Sequence, residues 1–154
     1  MRLQLPIVVD ASVAMKWLVR EEHTDKAWDL YAGAQLAKRP FVAPPHFAGE
    51  VLNALYRRTQ RGDGPQRLNP LAAERAVRLF LRMDVQPREA ADLYPAAFAL
   101  ARDHQLPTIY DALYVALAEK LGCELWTADL ALLRSVGPSF PFVRWIADYP
   151  NDPA

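Results

Sequence analysis

Four carboxylates stand where a protein could gather them for metal chemistry. Asp10 and Asp129 each come directly after a short apolar run, and Glu50 and Asp111 lie near the starts of two segments with helical spacing. Hard cations such as Mg²⁺ and Mn²⁺ prefer carboxylate oxygens to nitrogen or sulfur ligands. A cation held there can orient a water molecule, lower its pKa and bind a phosphate oxygen. The residue types therefore predict metal-assisted hydrolysis of a phosphodiester.

The surroundings of Glu50 and Asp111 differ from those of ordinary surface charges. Asp111 is the only charged residue in the range 107–118. Glu50 shares a helical face with Phe47 and Ala54. A carboxylate among apolar neighbours tends either to be protonated or to bind a cation. We interpret both as candidate site residues.

Each carboxylate also has a purely structural explanation. Asp10 and Asp129 could cap the helices that follow them. The spacing from Thr108 to Asp111 resembles a capping box with Asp in place of Glu, and Glu50 could be an exposed helix charge. Only their convergence in space would favour the functional explanation.

The order of the elements predicts that convergence. Strands are expected at residues 5–9, 41–43, 84–87, 124–127 and 142–146, and helices at 11–18, 24–38, 46–61, 70–82, 88–103, 108–121 and 130–135. Strands that alternate with helices predict an α/β fold, a three-layer α/β/α sandwich around a parallel sheet of four to five strands. Ligands of such sheets bind outside the carboxyl ends of the strands, where Asp10 and Asp129 fall. We expect one domain over residues 1–147 and a tail over 148–154.

Composition excludes several other classes of protein. The chain has 154 residues, of which 52% are hydrophobic and 23% charged, and its single cysteine, Cys123, cannot form an internal disulfide. No glycine-rich nucleotide-binding motif is present, and the spacing of His23, His46 and His104 favours neither a zinc site nor a histidine-based nuclease. No apolar run is long enough to span a membrane, so we expect a cytoplasmic protein without a membrane partner.

The charges balance overall but not locally. Lys and Arg number 18, as do Asp and Glu, so attraction to a polyanion must come from a local patch or a bound metal. Between residues 57 and 82 seven arginines stand against two acidic residues. The first three of them, Arg57, Arg58 and Arg61, are candidate contacts for phosphate. A solvated helical face is the alternative explanation.

Taken in series, four segments resemble the PIN-domain ribonucleases, and most closely the VapC-type toxins of bacterial type II toxin–antitoxin modules. The segments are Val-Val-Asp-Ala-Ser at 8–12, Pro-Pro-His-Phe-Ala-Gly-Glu-Val-Leu-Asn-Ala-Leu at 44–55, Tyr-Asp-Ala-Leu-Tyr-Val-Ala-Leu-Ala-Glu at 110–119, and Leu-Trp-Thr-Ala-Asp at 125–129. The resemblance covers almost the whole chain and implies a PIN-like fold.

The resemblance also implies roles for individual residues. Asp10, Glu50, Asp111 and Asp129 would hold Mg²⁺ or Mn²⁺. Asp10 and Asp111 would be direct ligands, whereas Glu50 and Asp129 would act directly or through water, one of them helping to deprotonate the attacking water. The hydroxyl groups of Ser12 and Thr127 would orient a carboxylate or a metal-bound water, and Asn53 would line the same pocket.

The implied activity is metal-dependent hydrolysis of RNA, by a homodimer whose cognate antitoxin protein blocks the acidic pocket. Two alternatives remain open. One is a PIN-type nuclease outside a toxin–antitoxin module, acting on DNA or in RNA processing. The other is a non-catalytic binding protein that retains the fold; the four intact acidic positions favour catalysis over it.

Overall fold

The computed structural model of the chain describes residues 4–60 and 67–151. Within those ranges five parallel strands form one sheet in the order β3-β2-β1-β4-β5. The strands are β1 (Ile7–Val9), β2 (Phe41–Ala43), β3 (Val85–Pro87), β4 (Leu125–Thr127) and β5 (Val143–Trp145). The predicted three-layer α/β/α fold with a parallel sheet is confirmed.

Seven α-helices flank the sheet in the described part of the chain. They are α1 (Ala11–Leu18), α2 (Thr24–Leu36), α3 (Phe47–Gln60), α4 (Pro70–Phe80), α5 (Tyr94–Asp103), α6 (Ile109–Leu121) and α7 (Leu130–Val136). Two short 3₁₀ turns cover Ala91–Leu93 and Ile146–Asp148. None of these described helices has both the length and the apolar character needed to cross a membrane.

The position of β1, β2 and β4 at the centre of the sheet explains why their sequences do not alternate between apolar and polar residues. Every residue of β1, β2 and β4 is buried, because helices cover both faces of the sheet. β3 is an edge strand with Gln86 and Pro87 exposed, and proline is tolerated there because the outer side of an edge strand needs no N–H donor.

The order of the strands reverses direction at β1, in the centre of the sheet: the chain first adds β2 and β3 on one side and then β4 and β5 on the other. β1 pairs with β2 on one side and with β4 on the other, and Val9 is in register with Trp126. The carboxyl ends of β1 and β4 are therefore adjacent. Such a switch point opens a crevice between the loops that leave the two strands.

No single helix covers the expected range 88–103. Instead, the 3₁₀ turn Ala91–Leu93 leads into α5, and Pro95 stands in the first turn of that helix. A proline in the first helical turn leaves no hydrogen bond unmade, since the N–H groups there have no partner within the helix.

The expected boundary between a domain over 1–147 and a tail over 148–154 stays a prediction. In the described part of that tail, Lys26 Nζ on α2 donates to the Tyr149 carbonyl at 2.6 Å and to Asn151 Oδ1 at 2.5 Å. Residues 152–154 lie outside the described residues.

Candidate active site

Asp10 is buried at the carboxyl end of β1. Its side chain is held by three donors: Ser12 Oγ at 2.5 Å on Oδ1, Thr127 Oγ1 at 2.5 Å on Oδ2, and the Val13 backbone N–H at 3.2 Å. Only 4% of the residue is exposed. Burial raises the pKa of the Asp10 carboxyl to about 6, against the opposing effect of the three hydrogen bonds.

Two hydroxyl groups join the ends of the neighbouring strands. Besides donating to Asp10, Ser12 Oγ accepts the N–H of Ala128 at 2.8 Å, and Thr127 Oγ1 accepts the N–H of Asp129 at 3.0 Å. The network therefore fixes the Asp10 carboxylate relative to the loop that carries Asp129. Ser12 and Thr127 lie where the family resemblance implies; their part in the reaction stays a prediction.

Asp111 lies in the first turn of α6 and is partly buried. Burial is the main reason that its pKa is raised to about 6, and the negative charges of Asp129 and Glu50 raise it further. Asp111 in turn raises the pKa of Asp10. The charges of four carboxylates from distant parts of the sequence therefore act on one another, which places them in one electrostatic cluster.

Asp129 serves as the N-cap of α7. Its Oδ1 accepts the N–H groups of Ala131 at 2.9 Å and Leu132 at 3.1 Å. Asp10 likewise caps α1 through Val13, so for both residues capping coexists with membership of the cluster. The capping-box explanation of Asp111 is wrong, because Thr108 makes no side-chain capping hydrogen bond.

Glu50 lies in the first turn of α3. It contacts two residues that sequence reasoning left out of the site. The Tyr114 hydroxyl donates to Glu50 Oε1 at 2.8 Å. His46 Nε2 lies 3.0 Å from the same oxygen, but it is buried and out of line for a hydrogen bond. The available signal was helical spacing, since His46 is four residues before Glu50 and Tyr114 is three residues after Asp111.

A cavity of about 360 Å³ lies between α1 and α3 beside Glu50. It is lined by Ala11, Ser12, Met15, Glu50, Asn53, Ala54, Arg57 and Arg58. Asn53 and Glu50 thus line one cavity, and the expected place of Asn53 in a metal-binding pocket stays a prediction. The cavity therefore places two arginine side chains beside the Glu50 carboxylate.

The three candidate arginines differ in their surroundings. Arg57 is exposed. Arg58 is tied to Glu21 by an ion pair of 2.6 Å in which both side chains are mostly buried, so it joins α3 to the loop between α1 and α2. Arg61 lies outside the described residues.

The cluster offers oxygen ligands but not a closed cage. Among residues 4–60 and 67–151, no group of three or more His, Cys, Asp or Glu side chains is arranged to hold a metal ion. In proteins Mg²⁺ is commonly bound by one or two carboxylates and keeps several water ligands.

Comparison with known proteins identifies the family. The PIN-domain family model matches residues 7–137. The chain belongs to the PIN-domain family. The matched range of this PIN domain contains all four carboxylates together with Ser12, Asn53 and Thr127.

Relatives of this PIN domain cover nearly its whole length. It is 34% identical over 137 residues to Ribonuclease VapC3 of Pyrobaculum aerophilum, which spans 89% of this chain and 96% of that protein. It is 35% identical over 127 residues to VapC ribonuclease Mb0985 of Mycobacterium bovis, across 82% of this chain and 87% of the relative.

Solved structures share the fold. The crystal structure of PAE2754 from Pyrobaculum aerophilum superposes with a TM-score of 0.63 at 23% identity, covering 94% of this chain and 93% of that one. Mycobacterium tuberculosis VapC20, described as a sarcin–ricin loop cleaving toxin, gives a TM-score of 0.61 at 24% identity over 90% and 98%. At these identities the comparison establishes the architecture of the PIN domain and no more.

Proposed function

We propose that this PIN domain is an endoribonuclease of the VapC type, the toxin of a type II toxin–antitoxin module, and that it uses Mg²⁺ or Mn²⁺ to hydrolyse RNA. The relatives that it matches along nearly their full length are named as ribonucleases. A chain of this family that keeps all four acidic positions retains the groups that hydrolysis needs.

One observation carries the proposal. Burial, followed by the charges of Asp129 and Glu50, raises the pKa of Asp111, and burial, with a smaller contribution from the charge of Asp111, raises the pKa of Asp10. Carboxylates arranged so that each disfavours the ionisation of another are costly to keep together. A divalent cation removes that repulsion, which is why we assign the cluster to metal binding rather than to surface solubility.

Asp10 and Asp111 would be the direct ligands, with Glu50 and Asp129 completing the site directly or through water. When bound, the ion supplies a positive charge beside the phosphate and makes a bound water more acidic. Glu50 or Asp129 accepts the proton of the attacking water. The water oxygen then bonds to phosphorus as the bond to the leaving oxygen breaks.

The remaining polar residues position these groups. Ser12 and Thr127 hold both oxygens of Asp10, so its carboxylate needs no reorganisation when the ion binds. Arg57, exposed at the cavity that also contains Glu50, is the arginine that we assign to RNA phosphate. Arg58 contributes mainly through its ion pair with Glu21.

We further propose a small antitoxin protein as the partner that covers the acidic pocket, since the relatives are VapC proteins. The homodimer and the cytoplasmic location implied by the family stay predictions. Light scattering of the purified chain, alone and coexpressed with the product of a neighbouring short reading frame, tests both associations.

The test of the activity is cleavage of RNA and of DNA with Mg²⁺, with Mn²⁺ and with EDTA. We expect the parent chain to cleave RNA with a metal and not with EDTA. Asp10→Asn should lose cleavage while remaining folded, because an amide can still occupy the network of Ser12 and Thr127. The matched control is Asp103→Asn, an exposed aspartate outside the cluster, which should cleave like the parent.

Three results would contradict the proposal. Equal cleavage by the parent and Asp10→Asn would remove the carboxylate cluster from the reaction. Cleavage of DNA alone would favour the DNA-acting alternative. Absence of cleavage of either nucleic acid with any metal would favour the non-catalytic alternative.

A further inference from the structure

Tyr114 is a buried polar side chain at the site that the carboxylate chemistry does not itself require. Only 1% of Tyr114 is exposed. Its hydroxyl donates to Glu50 Oε1. A phenol, whose ordinary pKa is about 10, stays protonated at neutral pH and can donate to a carboxylate.

Two contacts with Glu50 converge on a single oxygen. Tyr114 donates to Oε1, and His46 Nε2 lies 3.0 Å from the same atom. The His46 ring also packs edge-on against the Tyr114 ring, with centroids 5.0 Å apart. The Tyr114 hydrogen bond thus fixes one end of the Glu50 carboxylate between α3 and α6, and the His46 ring packs against the tyrosine that makes it.

We propose that Tyr114 is a positioning residue for metal binding: its hydroxyl anchors Glu50 Oε1 and so leaves Oε2 as the oxygen that meets the cation or its water. This inference rests on the proposed metal site. In this role Tyr114 does not contact the substrate. The interaction between α6 and α3 that matters for metal binding is the hydrogen bond from its hydroxyl, not the packing of its ring.

The geometry explains why the hydroxyl matters beyond packing. A glutamate side chain on a helix has several rotamers, and one that is partly exposed, as the Glu50 side chain is at 32%, is free to exchange among them unless it is held. Residues that orient metal ligands in this way typically contribute tenfold or more to metal affinity, about 10–100-fold in measured cases.

The experiment is a double-mutant cycle on Mn²⁺ binding, followed by isothermal titration calorimetry. Tyr114→Phe removes only the hydroxyl, and Glu50→Gln removes the charge that it holds. We expect Tyr114→Phe to weaken Mn²⁺ binding about tenfold in the parent background. In the Glu50→Gln background the same change should have little effect, because the two residues act as one unit.

Tyr31→Phe is the matched control. The ring contacts of Tyr31 are with Trp17, Trp28 and Phe41, none of which belongs to the site. The Tyr31→Phe variant should leave the Kd for Mn²⁺ unchanged. If Tyr114→Phe does not fold, as judged by circular dichroism, His46→Leu replaces it. The His46 ring packs against Tyr114 and makes no hydrogen bond of its own to Glu50, so its loss should disturb the tyrosine hydroxyl indirectly and weaken Mn²⁺ binding less strongly, again only when Glu50 is present.

Each result decides a different question. An unchanged Kd in Tyr114→Phe, or equal weakening with and without Glu50, overturns the positioning role. Absence of Mn²⁺ binding by the parent chain overturns the metal site and this inference with it. A lower melting temperature of Tyr114→Phe with unchanged affinity for Mn²⁺ would show that Tyr114 acts through packing alone. That result likewise contradicts the proposal.

Discussion

Asp10 and Asp111 are the two carboxylates of the site whose ionisation the fold disfavours. Both have a pKa of about 6, mainly because they are buried, whereas an aspartate in an unfolded chain titrates near 3.8. The folded chain therefore holds protons that the unfolded chain releases. Stability from these two groups is fully present below pH 3.8 and is lost as the pH rises through about 6.

This difference predicts how Asp111→Asn changes stability in EDTA. The variant should melt at a higher temperature than the parent at pH 7, and the difference should shrink as the pH falls to 4, where Asp111 is protonated in the parent. For a chain of this size each 1 kcal/mol corresponds to roughly 2–4 °C. The measurement is calorimetry across that pH range, with Asp103→Asn as the exposed control. A difference that does not vary with pH would contradict the assigned pKa.

At the residue level the sequence identified the carboxylates but not what holds them. Asp10, Asp111 and Asp129 stand next to strand ends or helix starts, so the order of elements was enough to group them. The contact between Tyr114 and Glu50 joins residues 64 positions apart. Helical spacing indicates which face each residue occupies, but it does not indicate which two helices are neighbours.

The helices and strands follow from local rules, and those rules could be applied from the sequence alone. Asn69 accepts the N–H of Ala72 at 2.8 Å and Pro70 opens α4 as expected. The Arg58–Glu21 ion pair could not be foreseen, because it depends on how the loop after α1 lies against α3. Local chemistry thus determines where elements begin, and packing determines which charges remain free.

Gly122 gives a test at this scale. It ends α6 with φ of +62°, and a Cβ placed there meets nothing within 4 Å. Gly122→Ala should therefore cost about 1 kcal/mol of unfolding free energy through backbone strain alone. Urea denaturation measures it, and Gly122→Asn should cost less, since asparagine tolerates this conformation better. Equal costs for the two variants would show that strain is not the cause.

The whole molecule is neutral, so RNA binding must depend on where the charges lie. With 18 positive and 18 negative side chains, general attraction to a polyanion is absent. The exposed Arg57 beside the cavity has no ion pair with another residue of the described ranges, whereas the charge of Arg58 is offset by Glu21. Two adjacent arginines should therefore differ in function.

Arg57→Gln should raise the KM for RNA more at low salt than at high salt. The slope of log KM against log salt concentration should fall by about 0.7, the value for one contact with a single-stranded phosphate. Arg58→Gln should instead lower the melting temperature and leave that slope nearly unchanged, because it breaks the 2.6 Å ion pair with Glu21 and leaves that carboxylate, among the described residues, with the longer 3.3 Å ion pair to Lys16. Identical slopes for the two variants would contradict the assignment of Arg57.

A divalent cation at the junction of β1, α3, α6 and β4 is the central requirement of the proposed function. Anomalous diffraction from crystals soaked in Mn²⁺ locates the ion directly. The predicted result is an anomalous peak within bonding distance of carboxylate oxygens of Asp10 and Asp111. The peak should be absent in Asp111→Asn. A chain that cleaves RNA with Mn²⁺ but shows no peak there, or a peak elsewhere, would contradict it.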